Sequence, residues 1–300
     1  MFSVHHVKTL IFERLLSIFF NIKKSLLRFR PGIFCFLLIS INANAQDSTK
    51  PARVHKDSAQ FINVKDSTYP TRKLYKLNKS YVIGYWTDLK HVVSRPAHWN
   101  GNDWGKFAIF LGVTGATMAA DWEIRHIVLA NKGSVADETA KVVEPFGNFY
   151  GVYLFPVMYV AGLATKEKRL QSVALGGVKS LAISTLIYTG TKLIIRRARP
   201  DATESSFDYG LPFTHPTYTS SPSGHSNTIF TVATALALEY RETKWVPIVA
   251  YSIAGLTAAS RIYQNRHWAS DVVLGSALGH FVTKAVWKNN NKKKPPKQLW

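Results

Sequence analysis

From Lys106 onward this chain is a train of apolar segments joined by short polar stretches, and that pattern constrains its fold more than anything else in it. The charge-free runs cover 107–120, 149–165, 180–191, 226–238, 245–260 and 272–283, and Lys179 alone interrupts a longer run that begins near Leu170. Strands of a compact domain span roughly 4–8 residues, so these lengths predict helices. Ala, Leu, Gly and Ser dominate several of the runs. The fold class expected is all-α, a helical bundle of about six main helices over 104–288, followed by a basic tail over 289–300.

The region before the bundle has a different character. Residues 46–103 are polar and mixed, with Pro51, Pro70 and Pro96, and read as a linker holding one short helix around Lys73 to Leu89. Ahead of it, Arg28 and Arg30 precede an apolar run over 33–41 and then Ala43-Asn44-Ala45. A positive flank, a short apolar core and an A-x-A site predict a secretory signal over 1–45, the alternative being a retained anchor. Either way the chain is expected in the bacterial cell envelope. Cys35 is the single cysteine, so no intrachain disulfide and no thiolate zinc cluster can form.

Whether the bundle crosses a membrane turns on length and charge. A span needs ~20 predominantly apolar residues, with a range of ~17–25. Only 149–165 reaches that range without a charge, although interior polar groups shorten the apparent length of the others. Lys166, Lys168, Arg169, Arg241, Lys244 and the tail from Lys288 to Lys297 fall at one end of the bundle. The positive-inside rule puts that end in the cytoplasm and the opposite end outside. A cleaved signal followed by six spans reverses this orientation, so a cleaved signal, six spans and an outward-facing opposite end exclude one another.

A formal net charge of +20 points to an anionic partner. Nucleic acid is the weakest choice, because the cations are spread along the chain and no nucleic-acid-binding motif is present. A phosphorylated small molecule or lipid fits better, since three short patterns in the second half of the chain carry phosphate chemistry. The first is Lys192, six residues, then Arg199-Pro200; the second is Pro222-Ser223-Gly224-His225; the third is Ser260-Arg261, five residues, His267, three residues and Asp271. Lys192, Arg196 and Arg199 at i, i+4 and i+7 would place three cations on one helix face, with Arg196 and Arg197 also readable as interfacial anchors. Ser223 suits a helix N-cap, and Gly224 lets backbone amides approach an anion. His267 and Asp271 at i, i+4 suggest a carboxylate that takes the Nδ1 proton and leaves Nε2 as nucleophile. His225 beside it suits general acid work on the leaving oxygen. Of the remaining histidines, His280 reads as a satisfied core group, while His215 shares a loop with Tyr209, Phe213 and Tyr218 that either shapes a leaving-group pocket or packs the loop.

The three patterns, in this order and spacing, resemble those of the type 2 phosphatidic acid phosphatase family, which also includes bacterial acid phosphatases and vanadium haloperoxidases. The resemblance covers roughly Lys192 to Asp271, with no departure at a motif position. It implies His267 as nucleophile, Asp271 as its orienting carboxylate, His225 as general acid, and Lys192, Arg199, Arg261, Ser223 and Gly224 as the phosphate clamp. It also implies a phosphatase that needs neither metal nor other cofactor, passes through a phosphohistidine, and acts on phosphomonoesters or pyrophosphates, with a lipid as first choice. The alternatives are a soluble periplasmic acid phosphatase, a haloperoxidase holding vanadate in the same clamp, and a non-catalytic protein that binds phosphorylated lipid.

Overall fold

The computed structural model describes residues 74–290. The expected signal or anchor over 1–45, the part of the polar segment before residue 74 and the tail beyond 290 lie outside the described residues. Among the described residues nine α-helices follow in order: α1 Lys79–Ser94, α2 Gly101–Ala119, α3 Asp121–Ala130, α4 Ser134–Val143, α5 Phe149–Ala164, α6 Lys168–Ile195, α7 Gly224–Glu239, α8 Trp245–Tyr263 and α9 Ala269–Asn290. Short 3₁₀ turns occupy Arg95–His98 and Glu144–Gly147. No strand occurs among the described residues, only an isolated antiparallel bridge between Arg197 and Tyr209. The all-helical expectation holds, and each of the six apolar runs lies within a helix, give or take one residue at its end. The additional helices α3 and α4 are ten residues each and interrupted by charged residues, so they left no long apolar run to read.

α7 is the centre of the bundle and packs against α6, α8 and α9, while α5 lies along α6. Its buried face is built from small polar residues, with Ser226, Asn227, Thr231 and Thr234 nearly inaccessible. Several of their polar atoms are bonded within the bundle: Ser184 donates to Asn227 Oδ1 at 2.5 Å, and Thr234 shares a cluster with Tyr251 and His280 at 2.8–3.0 Å, whereas Asn227 Nδ2 has no hydrogen-bond partner among the described residues. His280 is the satisfied core group its position suggested. Such a face lets helices approach closely, because no long side chain intervenes. A Cβ added at Gly275 or Gly279 of α9 would come within 2.3 Å of the carbonyl oxygens of Ser223 and Asn227. Around these contacts, Phe155, Val173, Ile183, Ile229, Val232, Val286 and Trp287 form the apolar core.

The helix expected near Lys73 to Leu89 forms as α1, capped by the Asn78 side chain, which accepts from the Tyr81 amide at 2.9 Å. It explains the charge in the middle of α6. Lys179 is 3% exposed and pairs with Asp88 of α1 at 3.0 Å, with Asn289 donating to the same carboxylate at 2.6 Å. The rings of Tyr75, Tyr81 and Tyr85 surround the ammonium with centroids at 4.7–5.5 Å.

By length and composition α6 and α8 can each cross a membrane. Two bent pairs do so if each counts as one span: α2 with α3 across 56°, and Ser134–Gly147 with α5 across 47°. The longest charge-free run thus forms a 16-residue helix that needs its bent partner to reach full span length. Pro145 and the non-helical backbone at Asn148, with φ −131° and ψ −96°, break it from the segment before. The outer faces carry Val152, Val157, Val160, Leu186, Ile248 and Leu256, all about half exposed or more, a surface suited to hydrocarbon.

Candidate active site

The three motifs meet at one end of the bundle, where α6 and α8 terminate and α7 and α9 begin. α6 stops at Ile195 because Arg196 turns left-handed, with φ 46°. Arg199 therefore leaves the helix, and the expected face of three cations at i, i+4 and i+7 does not form. Lys192 reaches across the end of the helix and donates to the carbonyl of Thr219 at 2.6 Å. Arg199 approaches the hydroxyl of the same Thr219 through Nε and Nη2, both at 3.4 Å. One loop residue thus gathers the two cations of the first motif.

Arg197 also departs from expectation. It is no interfacial anchor: it is 2% exposed and held by two buried carboxylates, Asp121 at 2.8 Å and Asp271 at 2.9 Å. Its Nη1 also donates to the Ser270 hydroxyl at 2.7 Å, and its Nε to the Ser206 carbonyl at 3.0 Å. A guanidinium has five donors in a fixed fork, and these partners account for most of them. Asp121, at the start of α3, in turn accepts from the Ser270 amide and hydroxyl at 2.9 and 2.5 Å. The network ties the end of α6, the start of α3 and the start of α9 into one unit.

Ser223 caps α7. Its hydroxyl oxygen accepts from the Ser226 amide at 3.4 Å, and its own amide donates to the Asp271 carbonyl at 3.0 Å. Gly224 follows at the first position of the 16-residue helix, where unpaired amides and the helix dipole favour an anion. The preceding Ser221-Pro222 peptide is cis.

His267 lies in the turn between α8 and α9 and is 4% exposed. Its Nδ1 donates to the backbone carbonyl of Ser220 at 2.7 Å. The expected bond from Nδ1 to the Asp271 carboxylate is not made. The i, i+4 rule describes two residues on one helix, whereas His267 precedes the helix that holds Asp271. Asp271 sits at the third position of α9 and reaches back to the Trp268 amide at 3.0 Å, the acidic half of a capping box. Its other contacts are Arg197 and the Ser220 hydroxyl, the latter at 2.5 Å. Asp271 therefore acts on His267 through Ser220, whose hydroxyl it holds and whose carbonyl holds the ring.

Because a carbonyl can only accept, the proton sits on Nδ1 and Nε2 of the neutral ring carries the lone pair. Burial, and then the charges of Lys192, Arg199 and Arg261, hold this imidazole well below its usual pKa. A cation in that ring of cations would be repelled, so the histidine is kept neutral. Arg261, in the last turn of α8, is 6% exposed and donates to Gln264 at 2.7 Å.

His225, in the first turn of α7, has a partner from outside all three motifs. Its Nε2 lies 2.8 Å from Oε1 of Glu144, and the same oxygen is 3.4 Å from Nη1 of Arg261. Glu144 begins the 3₁₀ turn before α5. One signal for it exists in the sequence: it is the single charged residue between Lys141 and Lys166. Asp121 likewise follows an apolar run without belonging to a motif. Gly147 closes the same turn against the ring, with room for no side chain: an added Cβ would be 2.8 Å from His225 Cβ. His215 stacks on Tyr218 at 5.1 Å, and Phe213 in the same loop is 72% exposed. Beside His225 and Gly224 a groove of about 500 Å³ opens between α5, α6 and α7, lined by Asn148, Val152, Leu181, Ala182 and Tyr188. Among the described residues, no group of three or more His, Cys, Asp or Glu side chains is placed to hold a metal ion.

Several known proteins are similar in sequence to parts of this chain. Over 116 residues the chain is 38% identical to a lipid A 1-phosphatase of Porphyromonas gingivalis, a match taking in 38% of this chain and 22% of that protein. The chain thus spans about a fifth of that relative's length. Over 185 residues it is 26% identical to an undecaprenyl-diphosphatase of Sulfolobus acidocaldarius, covering 59% of this chain and 82% of that protein. Among solved structures it is similar to a transmembrane PAP2 type phosphatidylglycerolphosphate phosphatase from Bacillus subtilis, at 23% identity and a TM-score of 0.47, over 73% of this chain and 99% of that one. Residues 174–295, which hold all three motifs, match the PAP2 superfamily.

Proposed function

We propose that the protein is a phosphatase of the bacterial envelope that hydrolyses a phosphomonoester or pyrophosphate on a lipid, through a phosphohistidine at His267. One observation carries this reading: a buried imidazole whose Nδ1 proton is committed to a backbone carbonyl, which leaves Nε2 bare, in a site where the charges of Lys192, Arg199 and Arg261 all act on the ring. Such a nitrogen is a nucleophile at neutral pH, and the cations match the charge that develops on equatorial phosphoryl oxygens.

In the first step Nε2 of His267 forms a bond to phosphorus as the bond to the leaving oxygen breaks, and His225 gives that oxygen a proton. In the second step water attacks the phosphohistidine, His225 takes a proton from the water, and phosphate leaves with His267 restored. Ser223 and Gly224 offer the helix terminus to the same phosphoryl group. The clamp and the α7 terminus together supply electrostatic stabilisation without a metal ion.

A lipid is favoured by the apolar outer faces of the helices and by the groove that runs from His225 between Val152 and Leu181. The substrates named for the lipid A 1-phosphatase and undecaprenyl-diphosphatase relatives are of this class. The site faces the periplasm in this reading. Arg169, at the start of α6, pairs with Glu239 and Glu242 at the end of α7, so the basic end of the bundle lies opposite the motifs.

The test is turnover of lipid phosphates by purified protein in mixed micelles, with and without a chelator. Radiolabelled substrate should leave an acid-labile, alkali-stable phosphoryl group on the wild-type protein and none on His267→Ala. Substantial turnover by folded H267A would overturn the reading.

A further inference from the structure

Glu144 stands outside the residues that match the family and outside every motif, yet it makes the direct contact with His225. We propose that Glu144 is the positioning residue of the acid–base step, forming with His225 a carboxylate–imidazole dyad in which Nε2 is held by Glu144 and Nδ1 is the nitrogen that exchanges protons with substrate and water. This rests on the role given above to His225.

The geometry specifies the tautomer. An ionised carboxylate can only accept, so at 2.8 Å the Nε2 of His225 donates to Oε1 of Glu144. In the neutral ring the lone pair is then on Nδ1, and in the imidazolium Nδ1 carries the transferable proton. The balance over a cycle is complete. Nδ1 gives its proton to the leaving oxygen in the first step and recovers one from water in the second, while the Nε2 proton stays on the ring, donated to Glu144 as a hydrogen bond.

The charge at this position is also of the required sign. The groups that face His225 are Arg261 from α8, Arg199 from the loop after α6 and Glu144 from the turn before α5; Tyr188 of α6 lines the adjoining groove, and Asp271 of α9 is engaged by Arg197 and Ser220. Burial and then the two arginines press the imidazole towards its neutral form, and Glu144 is the group that opposes them. A general acid must hold a proton before it can give one, so a ring surrounded by clamp cations needs a carboxylate beside it. The same oxygen lies 3.4 Å from Arg261, so Glu144 also keeps the clamp arginine in register with the acid. Gly147, at the end of the same short turn, admits the ring where any side chain would collide with it.

The experiment compares wild type, Glu144→Gln and His267→Ala on two soluble substrates: an aryl phosphate with an acidic phenol as leaving group, and an alkyl phosphate. Protonation matters greatly for an alkoxide and little for an acidic phenolate. E144Q should lower kcat/KM for the alkyl phosphate by about 100-fold, in the range of a lost general acid, while changing the aryl phosphate only a few-fold. The alkaline limb of the kcat/KM profile should also move down by about one pH unit, because removing the anion lowers the pH at which His225 loses its proton. Both readouts are a ratio between substrates or a position on a pH axis, so a loss of folded protein moves neither. Equal losses on the two substrates with an unmoved limb would overturn the dyad, even if H267A were inactive as the wider reading requires. Wild-type protein without turnover on any phosphate ester would overturn that wider reading and the dyad with it.

Discussion

Replacing Asp271 by Asn tests the arrangement around His267 most directly. A carboxylate that merely held the ring's tautomer would give a variant that folds normally and turns over slowly. The structure makes a different demand. Asp271 is completely buried and accepts from Arg197 at 2.9 Å, from the Ser220 hydroxyl at 2.5 Å and from the Trp268 amide at 3.0 Å. In an asparagine, the amide nitrogen must face either the guanidinium or the Trp268 N–H, so one buried donor loses its acceptor, at ~1–3 kcal/mol. Arg197 also loses one of its two carboxylates, and breaking a buried pair costs ~3–5 kcal/mol. Because Asp121 remains at 2.8 Å, the low end applies, and about 3 kcal/mol is expected for D271N in all. For a chain of this size each kcal/mol moves the melting temperature by ~2–4 °C, so a drop of ~6–12 °C should appear in detergent-solubilised protein. Turnover per folded molecule should fall as well, since Ser220 loses the anchor that fixes its carbonyl under His267. A cycle with Asp121→Asn should be non-additive by ~0.5–3 kcal/mol, because both carboxylates serve one guanidinium. A D271N protein that melts with wild type while losing activity would refute this account and restore direct orientation of the ring by Asp271.

Further outcomes are expected. Lys192→Ala should lower kcat/KM by ~10²–10³-fold, the loss typical of one donor to a developing oxyanion, and an unchanged value would remove Lys192 from the clamp. His267 is held neutral, so its nucleophilic form should persist as pH falls below ~6.5, and no loss of kcat/KM assignable to its protonation should appear there. The linked effect on stability has the opposite cost: the unfolded ring takes up a proton below ~6.5 and the native ring does not. Stability should therefore fall with pH through that range in wild type more steeply than in H267A. Asp88→Asn should destabilise the fold by ~3–5 kcal/mol by leaving Lys179 buried without a charged partner. The double replacement Asp88→Leu with Lys179→Met should recover most of that in a melting experiment, with turnover per folded molecule unchanged throughout.

Hydrophobic lengths alone were enough to predict six of the nine helices among the described residues, because a charge-free run of this size can bury its backbone polar groups only by bonding them to one another. The order and spacing of Lys192, Arg199, Ser223, Gly224, His225, Arg261, His267 and Asp271 likewise pointed to one family, and the cap at Ser223 follows from local chemistry. What the linear chain left open was which side chain meets which. Arg197 reads as a surface cation until α3 and α9 bring Asp121 and Asp271 to it, from 76 and 74 positions away. The spacing of His267 and Asp271 suggested a direct bond, but that rule holds along a helix, and the chain is still in a turn at His267. Lys179 looked like an interruption until α1 supplied Asp88. Glu144, an isolated acid far from every motif, gained a partner only when the turn before α5 was laid against the start of α7. Local propensity acts over a few residues and is written in the sequence; the pairing of buried charges depends on which helix ends come together, and only the packed bundle settles that.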